Sequence, residues 1–344
     1  TACRRQRQMC IRDSKGFEWS PDGKKLAYYV FDETDVKEFQ MKMYGTLYPT
    51  HYKFKYPKAG EDNSLISIRI FDTQYDRHFV FDVGNNPDIY IPRIMWSKRR
   101  DELIVFKMNR LQNKLELLSG TFSMDTPNNI GIKTKPIYTE NSTTYIDIHD
   151  NTSFINENEF IWTSEKDGYN HIYLINYANG TEKQLTSGDW DVTEVYGYAS
   201  QSKKIFFQAA KSHPTKREIY ALYTKNNKIE LLTEKSGTNE ANFSKTFNYF
   251  INTHSSADTP FEITLHNQKG KLVKTLEKNE VLKNKLLEFN LTNKEFFTIP
   301  NEEGILLNAW MIKPKLLDTL KEHPLLMFVS VSYTHLTLPT TSSV

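Results

Sequence analysis

Cysteine is almost absent from this chain. Its 344 residues include two cysteines, Cys3 and Cys10, and both lie near the N-terminus. The remainder forms no disulfide and offers no thiolate to a metal. Long apolar runs are also missing, since no segment approaches the roughly 18 apolar residues that a membrane-spanning helix needs. The sequence therefore argues against a disulfide scaffold, a cysteine-ligated metal centre and a transmembrane segment.

Neither sign of charge is in large excess. Lys and Arg number 44, Asp and Glu number 42, and the formal net charge is +2. Four arginines and one aspartate of that total lie in residues 4–13, which read RRQRQMCIRD, and without them the formal charge becomes −1. The rest of the chain has no basic segment of the kind that binds nucleic acid or an anionic membrane. We therefore expect no nucleic-acid partner.

The two ends of the chain are related through their coding DNA. A DNA tract that encodes RRQRQMCIRD encodes VSYTHLTLPT, the sequence of residues 331–340, when it is read as its reverse complement. If these segments were a natural basic arm and a polar tail, ten codons would have to match in antisense by chance. We predict that residues 1–14 and 330–344 are translated sequencing-adapter DNA, and that the gene begins earlier and ends later.

Between these ends, one apolar or aromatic segment recurs with turns on either side. Its five copies begin at Leu26, Leu103, Phe160, Ile205 and Tyr249, and the last three are 45 and 44 residues apart. A period of about 40–50 residues with four strands per unit is typical of β-propeller blades. The aromatic residues of these segments are predicted to be blade core, at Tyr28, Phe106, Trp162 and Phe206. The alternation of Leu26, Tyr28 and Val30 beside Trp19 predicts strands with one buried face.

Outer hairpins follow these segments and repeat with them. They pair residues 66–71 with 77–83, 171–176 with 181–185, 218–224 with 228–232, and 261–266 with 271–276. Residues 186–192 are typical of a crossing from one blade to the next, and residues 40–63 form an insertion in the first unit. A β-sandwich with evenly spaced strands is the alternative. The like pairs of hairpins favour about five propeller blades.

After residue 279 the pattern changes. Residues 280–290 are predicted to be a connector, and residues 296–300, 306–313 and 325–329 to be three strands. Gly304 lies in the first turn, and residues 316–322 form a short helix or loop. The uninterrupted apolar character of residues 325–329 suits a strand that is buried on both faces.

Three segments near the start carry a resemblance to a known family. They are Trp19-Ser-Pro-Asp-Gly23, Phe31-Asp-Glu-Thr-Asp35 and Tyr56-Pro-Lys-Ala-Gly60. Together they resemble the propeller of the dipeptidyl peptidase IV family of serine peptidases, and the resemblance continues to about Val329. It implies a mainly β chain: later blades of an eight-bladed propeller over residues 15–290, joined to the first strands of an α/β-hydrolase domain over residues 291–329.

The resemblance also implies a function for the parent protein. It would be a serine exopeptidase that releases N-terminal Xaa-Pro or Xaa-Ala dipeptides, with the propeller gating the cavity and anchoring the peptide. Its partner would be a peptide substrate, and it would need no cofactor. The parent could also form a homodimer. A bacterial source and a periplasmic or envelope location are expected by resemblance. The alternatives are a tripeptidyl or acylaminoacyl peptidase of the same clan, and a non-enzymatic propeller that binds a protein.

The catalytic groups of such a peptidase are not in this sequence. The fold requires Gly-x-Ser-x-Gly followed by Asp and His, and the chain contains no Gly-x-Ser-x-Gly. The resemblance places the triad beyond Val329 and the family's ammonium-binding Glu-Glu pair upstream of Lys15. Glu302 and Glu303 are instead predicted to lie in a solvated turn before Gly304. We thus predict no catalytic, substrate-binding, cofactor-binding or metal-binding residue here, and an inactive fragment.

Two groups of polar residues are candidate metal sites. Asp147, His149 and Asp150 include zinc-type ligands, but no second histidine lies at a useful spacing, so surface strand residues are the preferred interpretation. Asp189 and Asp191 flank Trp190 without the twelve-residue calcium-loop pattern, and we predict a turn. The run of charges at 98–100 is predicted to be a solvated turn.

Overall fold

The computed structural model describes residues 16–99, 102–126, 129–289, 291–318 and 320–327, with the side chains of 123–131 left aside. Both predicted adapter segments, residues 1–14 and 330–344, lie outside these residues. Strands dominate the described residues, and five four-stranded antiparallel sheets follow one another along the chain. In each sheet the strands pair in chain order, which is the meander of a propeller blade.

The second blade contains the two longest strands of the described residues, at 13 residues each. The first blade and its insertion comprise β1 (Phe17–Trp19), β2 (Lys25–Asp32), β3 (Glu38–Met43), β4 (Thr50–Lys55), β5 (Leu65–Asp72) and β6 (Arg77–Phe81). The second comprises β7 (Ile89–Trp96), β8 (Glu102–Asn109), β9 (Lys114–Thr126) and β10 (Asn129–Asn141).

The next three blades are more regular. The third comprises β11 (Ser153–Phe154), β12 (Glu159–Ser164), β13 (His171–Asn176) and β14 (Glu182–Gln184). The fourth comprises β15 (Val192–Ala199), β16 (Lys204–Ala209), β17 (Glu218–Tyr223) and β18 (Lys228–Leu231). The fifth comprises β19 (Thr238–Phe243), β20 (Tyr249–Ser255), β21 (Glu262–Asn267) and β22 (Leu272–Glu277). The five recurring segments and the outer hairpins of the sequence prediction are confirmed.

The turn before β2 forms as its residues predict. Gly23 has φ +71°, which Pro-Asp-Gly turns need and other residues avoid. Asp22 accepts hydrogen bonds from the Ser20 hydroxyl at 2.7 Å and from the Lys24 amide at 3.1 Å. The insertion in the first blade is a separate hairpin, because β3 and β4 pair only with each other. The sequence predicted the insertion but not its pairing.

Blade faces alternate between two neighbours, and this explains the continuous apolar second strands. On β8, Leu103 and Val105 join the core shared with the first blade, whereas Ile104 and Phe106 join the core shared with the third. On β16, Ile205 and Phe207 face the third blade and Phe206 faces the fifth. Strands buried on both faces have no polar alternation. Phe106, Trp162 and Phe206 are buried, as predicted.

The first blade corrects one prediction. Its covered face carries Ala27, which is fully buried, while Leu26, Tyr28 and Val30 are only partly buried on the opposite face. Trp19 is 49% exposed. The predicted buried face was therefore the wrong one, because only the second blade packs against this sheet among the described residues. The last blade is open in the same way, with Tyr249 and Ile251 exposed.

The segment after the blades contains one helix and one hairpin. The predicted connector is a helix, α1 (Glu280–Glu288), and β23 (Glu295–Pro300) pairs with β24 (Leu306–Met311). The predicted strand at 325–329 is wrong for residues 325–327, which are irregular and exposed, and its last two residues lie outside the described part. Residues 316–318 and 320–322 are loop. No helix in the described ranges has the length and apolarity to cross a bilayer.

Candidate functional site

A cavity of about 170 Å³, lined mostly by residues with polar side chains, lies between the fourth and fifth blades. One wall is the face of β20 and β21 that carries Asn252, His254 and Glu262, and the other is the loop after β18, including Lys235. Asn239 closes its inner end and is fully buried. Polar side chains stand on this strand face because Phe250, Asn252 and His254 alternate along β20. The apolar part of the face seals the core, and the polar part forms the cavity.

Two buried acceptor atoms in this cavity have no partner within the described residues. Asn252 donates its Nδ2 to Asn239 Oδ1 at 3.0 Å, and its Oδ1 is unpaired. His254 Nε2 lies 3.1 Å from the Ser236 carbonyl, so that nitrogen carries the proton and the unpaired Nδ1 is an acceptor. Buried acceptors of this kind are ordinarily satisfied by water or by a donor on a ligand. The cavity can therefore hold solvent or a small molecule with N–H or O–H groups.

An ion-pair cluster closes the outer side of the cavity. Glu262 accepts hydrogen bonds from Lys235 and, at 2.7 Å, from Lys283 of α1. These two hydrogen bonds lower the pKa of the Glu262 carboxyl to about 2. The carboxylate is therefore ionised at neutral pH. The side chains of Glu262 and Lys283 are 12% and 26% exposed, so water screens this pair less than it screens a fully exposed one.

Two further buried carboxylates join the second and third blades. Glu102 of β8 accepts hydrogen bonds from Ser119 at 2.7 Å and from Tyr177 of the third blade. Glu140 of β10 accepts one from the Trp162 indole at 2.6 Å. Burial is the main cause that raises the pKa of the Tyr177 hydroxyl, which stays protonated and donates. These carboxylates are satisfied by scaffold donors, which makes them structural.

His149 corrects the sequence prediction of a surface strand. It lies in the loop between β10 and β11, and its ring packs edge-on against Trp162 with the centroids 4.4 Å apart. Burial lowers the pKa of His149 to about 4. Asp147 and Asp150 are exposed, and Asp150 pairs with Arg93 at 2.6 Å. No group of His, Cys, Asp and Glu in the described residues could hold a metal.

The remaining polar candidates divide between turns and blade contacts. Glu302 and Glu303 lie exposed in the turn before Gly304, and Asp191 lies in the crossing into β15, as predicted. The Asp191 carboxylate accepts the Asn170 amide at 2.8 Å. Arg99 differs from its prediction.

Arg99 is not merely solvated, because it reaches the third blade. Its guanidinium donates to the Glu157 carbonyl at 2.7 Å and to Asn158 at 3.0 Å, and it lies 4.1 Å from the Tyr177 ring centroid. Arg100 lies outside the described residues. The sequence also gave no prediction for Asn252, His254 or Glu262. The sequence signal that could have identified them was the alternation that places them on the same face of the sheet as Phe250.

Comparison with known proteins assigns this architecture. The fold is a series of β-propeller blades followed by a helix and a hairpin. The chain matches the family model described as the dipeptidyl peptidase IV (DPP IV) N-terminal region over residues 10–261. It therefore belongs to the dipeptidyl peptidase IV family.

Individual relatives agree with the family assignment. A crystal structure of Porphyromonas gingivalis dipeptidyl peptidase 4 is 34% identical with a TM-score of 0.80, over 92% of this chain and 44% of that one. A putative dipeptidyl aminopeptidase IV from Bacteroides ovatus shares the fold, at 24% identity and a TM-score of 0.79, over 90% and 46% of the two chains. Dipeptidyl peptidase 4 of Arthroderma otae is 26% identical over 326 residues, 90% of this chain and 41% of that protein.

The extent of these matches bears on both parts of the chain. The chain spans less than half the length of each of these relatives. The first 290 of its 344 residues are 84% of it, so a match that covers 92% continues beyond residue 290. The similarity therefore includes residues that follow the five blades.

Proposed function

We propose that the parent protein is a serine-type dipeptidyl peptidase, and that this chain supplies propeller blades that admit and hold its peptide substrate. The observation that carries the proposal is the family match over residues 10–261. The continuation of the similarity beyond residue 290 supports a following hydrolase domain over a free-standing propeller. The nucleophilic serine, with histidine as general base and an oxyanion hole, would lie in that domain. This chain alone would not hydrolyse peptides.

Sequencing the source DNA outward from the codons for residues 17–60 and 307–329 tests this proposal. We expect a Glu-Glu pair upstream, and downstream a Gly-x-Ser-x-Gly followed by Asp and His. Genomic DNA that reads through RRQRQMCIRD and VSYTHLTLPT would show that neither the adapter interpretation nor the peptidase assignment holds. A triad without the Glu-Glu pair would favour the tripeptidyl or acylaminoacyl alternative.

We also propose a bacterial source, a periplasmic or envelope location and a homodimeric parent. The bacterial source and the envelope location rest on the resemblance of the sequence motifs and on the two bacterial structures that the chain resembles. The third is supported by the exposed tip between β3 and β4, where Tyr44 and Tyr48 are both 80% exposed and Leu47 is 91% exposed. Contiguous exposed apolar groups of this kind often mark interaction surfaces.

A further inference from the structure

Helix α1 has little to hold it in place through apolar packing. It has nine residues, and none of them is buried. Val281 and Leu287 are 84% and 78% exposed. Isolated helices shorter than about 12 residues are marginal in water. Its position after the fifth blade must therefore depend on specific contacts.

One face of α1 and its cap makes those contacts. The partly buried positions are Asn279, Lys283 and Leu286, whose spacing of four and three residues places them on one side of a helix. Asn279 donates its Nδ2 to the Phe261 carbonyl. Lys283 donates to Glu262 at 2.7 Å. The two acceptors are neighbours in the chain where β21 begins, so among the described residues these two side-chain hydrogen bonds hold the helix to the blade at one place.

Glu262 connects three separate segments at that point. It belongs to the fifth blade, it receives Lys283 from α1, and it receives Lys235 from the loop that follows the fourth blade. Its side chain is 12% exposed, against 26% for Lys283 and 59% for Lys235. Hydrogen bonds between charged groups are about twice as strong as neutral ones, and the low exposure of the carboxylate preserves that strength. Removing the carboxylate would leave both ammonium groups without their acceptor.

We propose that Glu262 is a positioning residue, a polar latch that fixes α1 against the last two blades. When the latch opens, α1 separates from the propeller while the blade cores remain folded, because the apolar core between the fourth and fifth blades contains neither Glu262 nor any residue of α1. In the parent, the latch would set the placement of the hydrolase segment that follows α1. That last consequence rests on the proposed function, whereas the latch itself does not.

Hydrogen exchange on the 344-residue chain tests the latch without any assay of activity. The variants are Glu262→Gln, which keeps shape and removes charge, and Lys283→Met, which keeps the aliphatic stem. We expect amides 284–288 to exchange at least about tenfold faster in both, equivalent to about 1.4 kcal/mol of lost protection. Amides of the second and third blades should exchange as in the unchanged chain.

Two matched controls separate the latch from general effects of charge. Lys274→Met removes an exposed cation of β22, and Glu230→Gln removes a carboxylate that pairs with Lys204 in the fourth blade. Both should leave α1 exchange unchanged. The double variant Glu262→Gln/Lys283→Met should exchange no faster than Glu262→Gln alone, since the two groups act as one unit.

Three results would overturn the proposal. The first is equal α1 exchange in Glu262→Gln and the unchanged chain. The second is a loss of protection in β21 as large as that in α1, which would make Glu262 only a blade residue. The third is an additive double variant. Because Lys283 lies on the helix, its variant tests the latch even if Glu262→Gln fails to fold.

Discussion

Buried polar side chains connect neighbouring blades at defined points. Glu102 receives Tyr177 across the interface of the second and third blades. Gln208 donates to the Asn239 carbonyl at 2.6 Å between the fourth and fifth. A buried polar group left without its partner costs about 1–3 kcal/mol. These contacts therefore penalise any slip of one blade against the next, which apolar packing alone would tolerate.

His149 gives this chain a specific sensitivity to acid. Burial lowers the pKa of His149 to about 4, against about 6.5 for an unperturbed histidine, so the fold favours the neutral ring. The stabilisation is complete above the unfolded pKa and is lost as the pH falls from there towards 4. We expect this group to remove about 2–3 kcal/mol of stability between pH 7 and 4.5.

Urea unfolding of the chain at pH 7 and at pH 4.5 measures that loss. His149→Gln, which cannot be protonated, should lose less stability over this interval than the unchanged chain. His213→Gln replaces an exposed histidine and should keep the full loss. Equal acid slopes for His149→Gln and the unchanged chain would contradict the assignment.

The residue types predicted which aromatic side chains are buried better than they predicted where polar side chains lie and what they contact. Phe106, Trp162 and Phe206 could be placed in the core because large aromatic side chains on continuous apolar strands have few other stable positions. His149 could not be placed, because a loop histidine is buried or exposed according to what packs over it. Glu262 was equally invisible, since both of its lysine partners lie more than twenty residues away in sequence.

At the scale of elements, close approach between blades depends on glycine in hairpin turns, and Gly270 makes the tighter contact of two such cases, Gly180 and Gly270. Gly270 lies in the turn from β21 to β22 with φ +79°, and a Cβ there would lie 2.4 Å from the Leu232 carbonyl of the fourth blade. Gly23 has a similar φ of +71° with open space around it. The two positions thus share a left-handed backbone conformation but differ in packing.

We expect Gly270→Ala to destabilise the chain more than Gly23→Ala. The left-handed backbone costs about 1–2 kcal/mol in either variant, and the contact with Leu232 adds about 1–3 kcal/mol in the first alone. Urea midpoints at unchanged m-value measure both. Equal losses of stability would show that the fourth and fifth blades are not packed as closely as described.

An element was predictable from the sequence where the pattern of a single strand identifies it. It was not predictable where pairing with another strand determines the structure. The second strands β8, β12 and β16 follow from apolar runs buried on two faces. The β3–β4 hairpin was missed because its two strands pair only with each other, across the turn at residues 44–49. Residues 325–327 have strand composition but no pairing strand in the described ranges, and a strand without partners is not stable. Helix α1 did carry a signal, with Glu280 in its first turn and Lys285 in its last.

At the scale of the whole molecule, four apolar cores fill the four interfaces between five blades. The outer faces of the first and fifth blades remain open within the described residues, as the exposure of Trp19 and Tyr249 shows. Each of the relatives described above is more than twice as long as the matched part. The repeat predicted this architecture from sequence because each blade is one self-similar unit, whereas the groups that perform chemistry have no repeat to reveal them.

Release of dipeptides by the full-length protein is the most direct test of the central claim. The measurement is the rate of chromophore release from a Gly-Pro chromogenic substrate, with the serine of the downstream Gly-x-Ser-x-Gly changed to alanine as the control. We expect release by the unchanged protein and a fall in kcat of about 10⁶-fold in the control, as found when a triad serine is removed. No release by a folded full-length protein, or cleavage only of N-terminally acylated or tripeptidyl substrates, would contradict the claim.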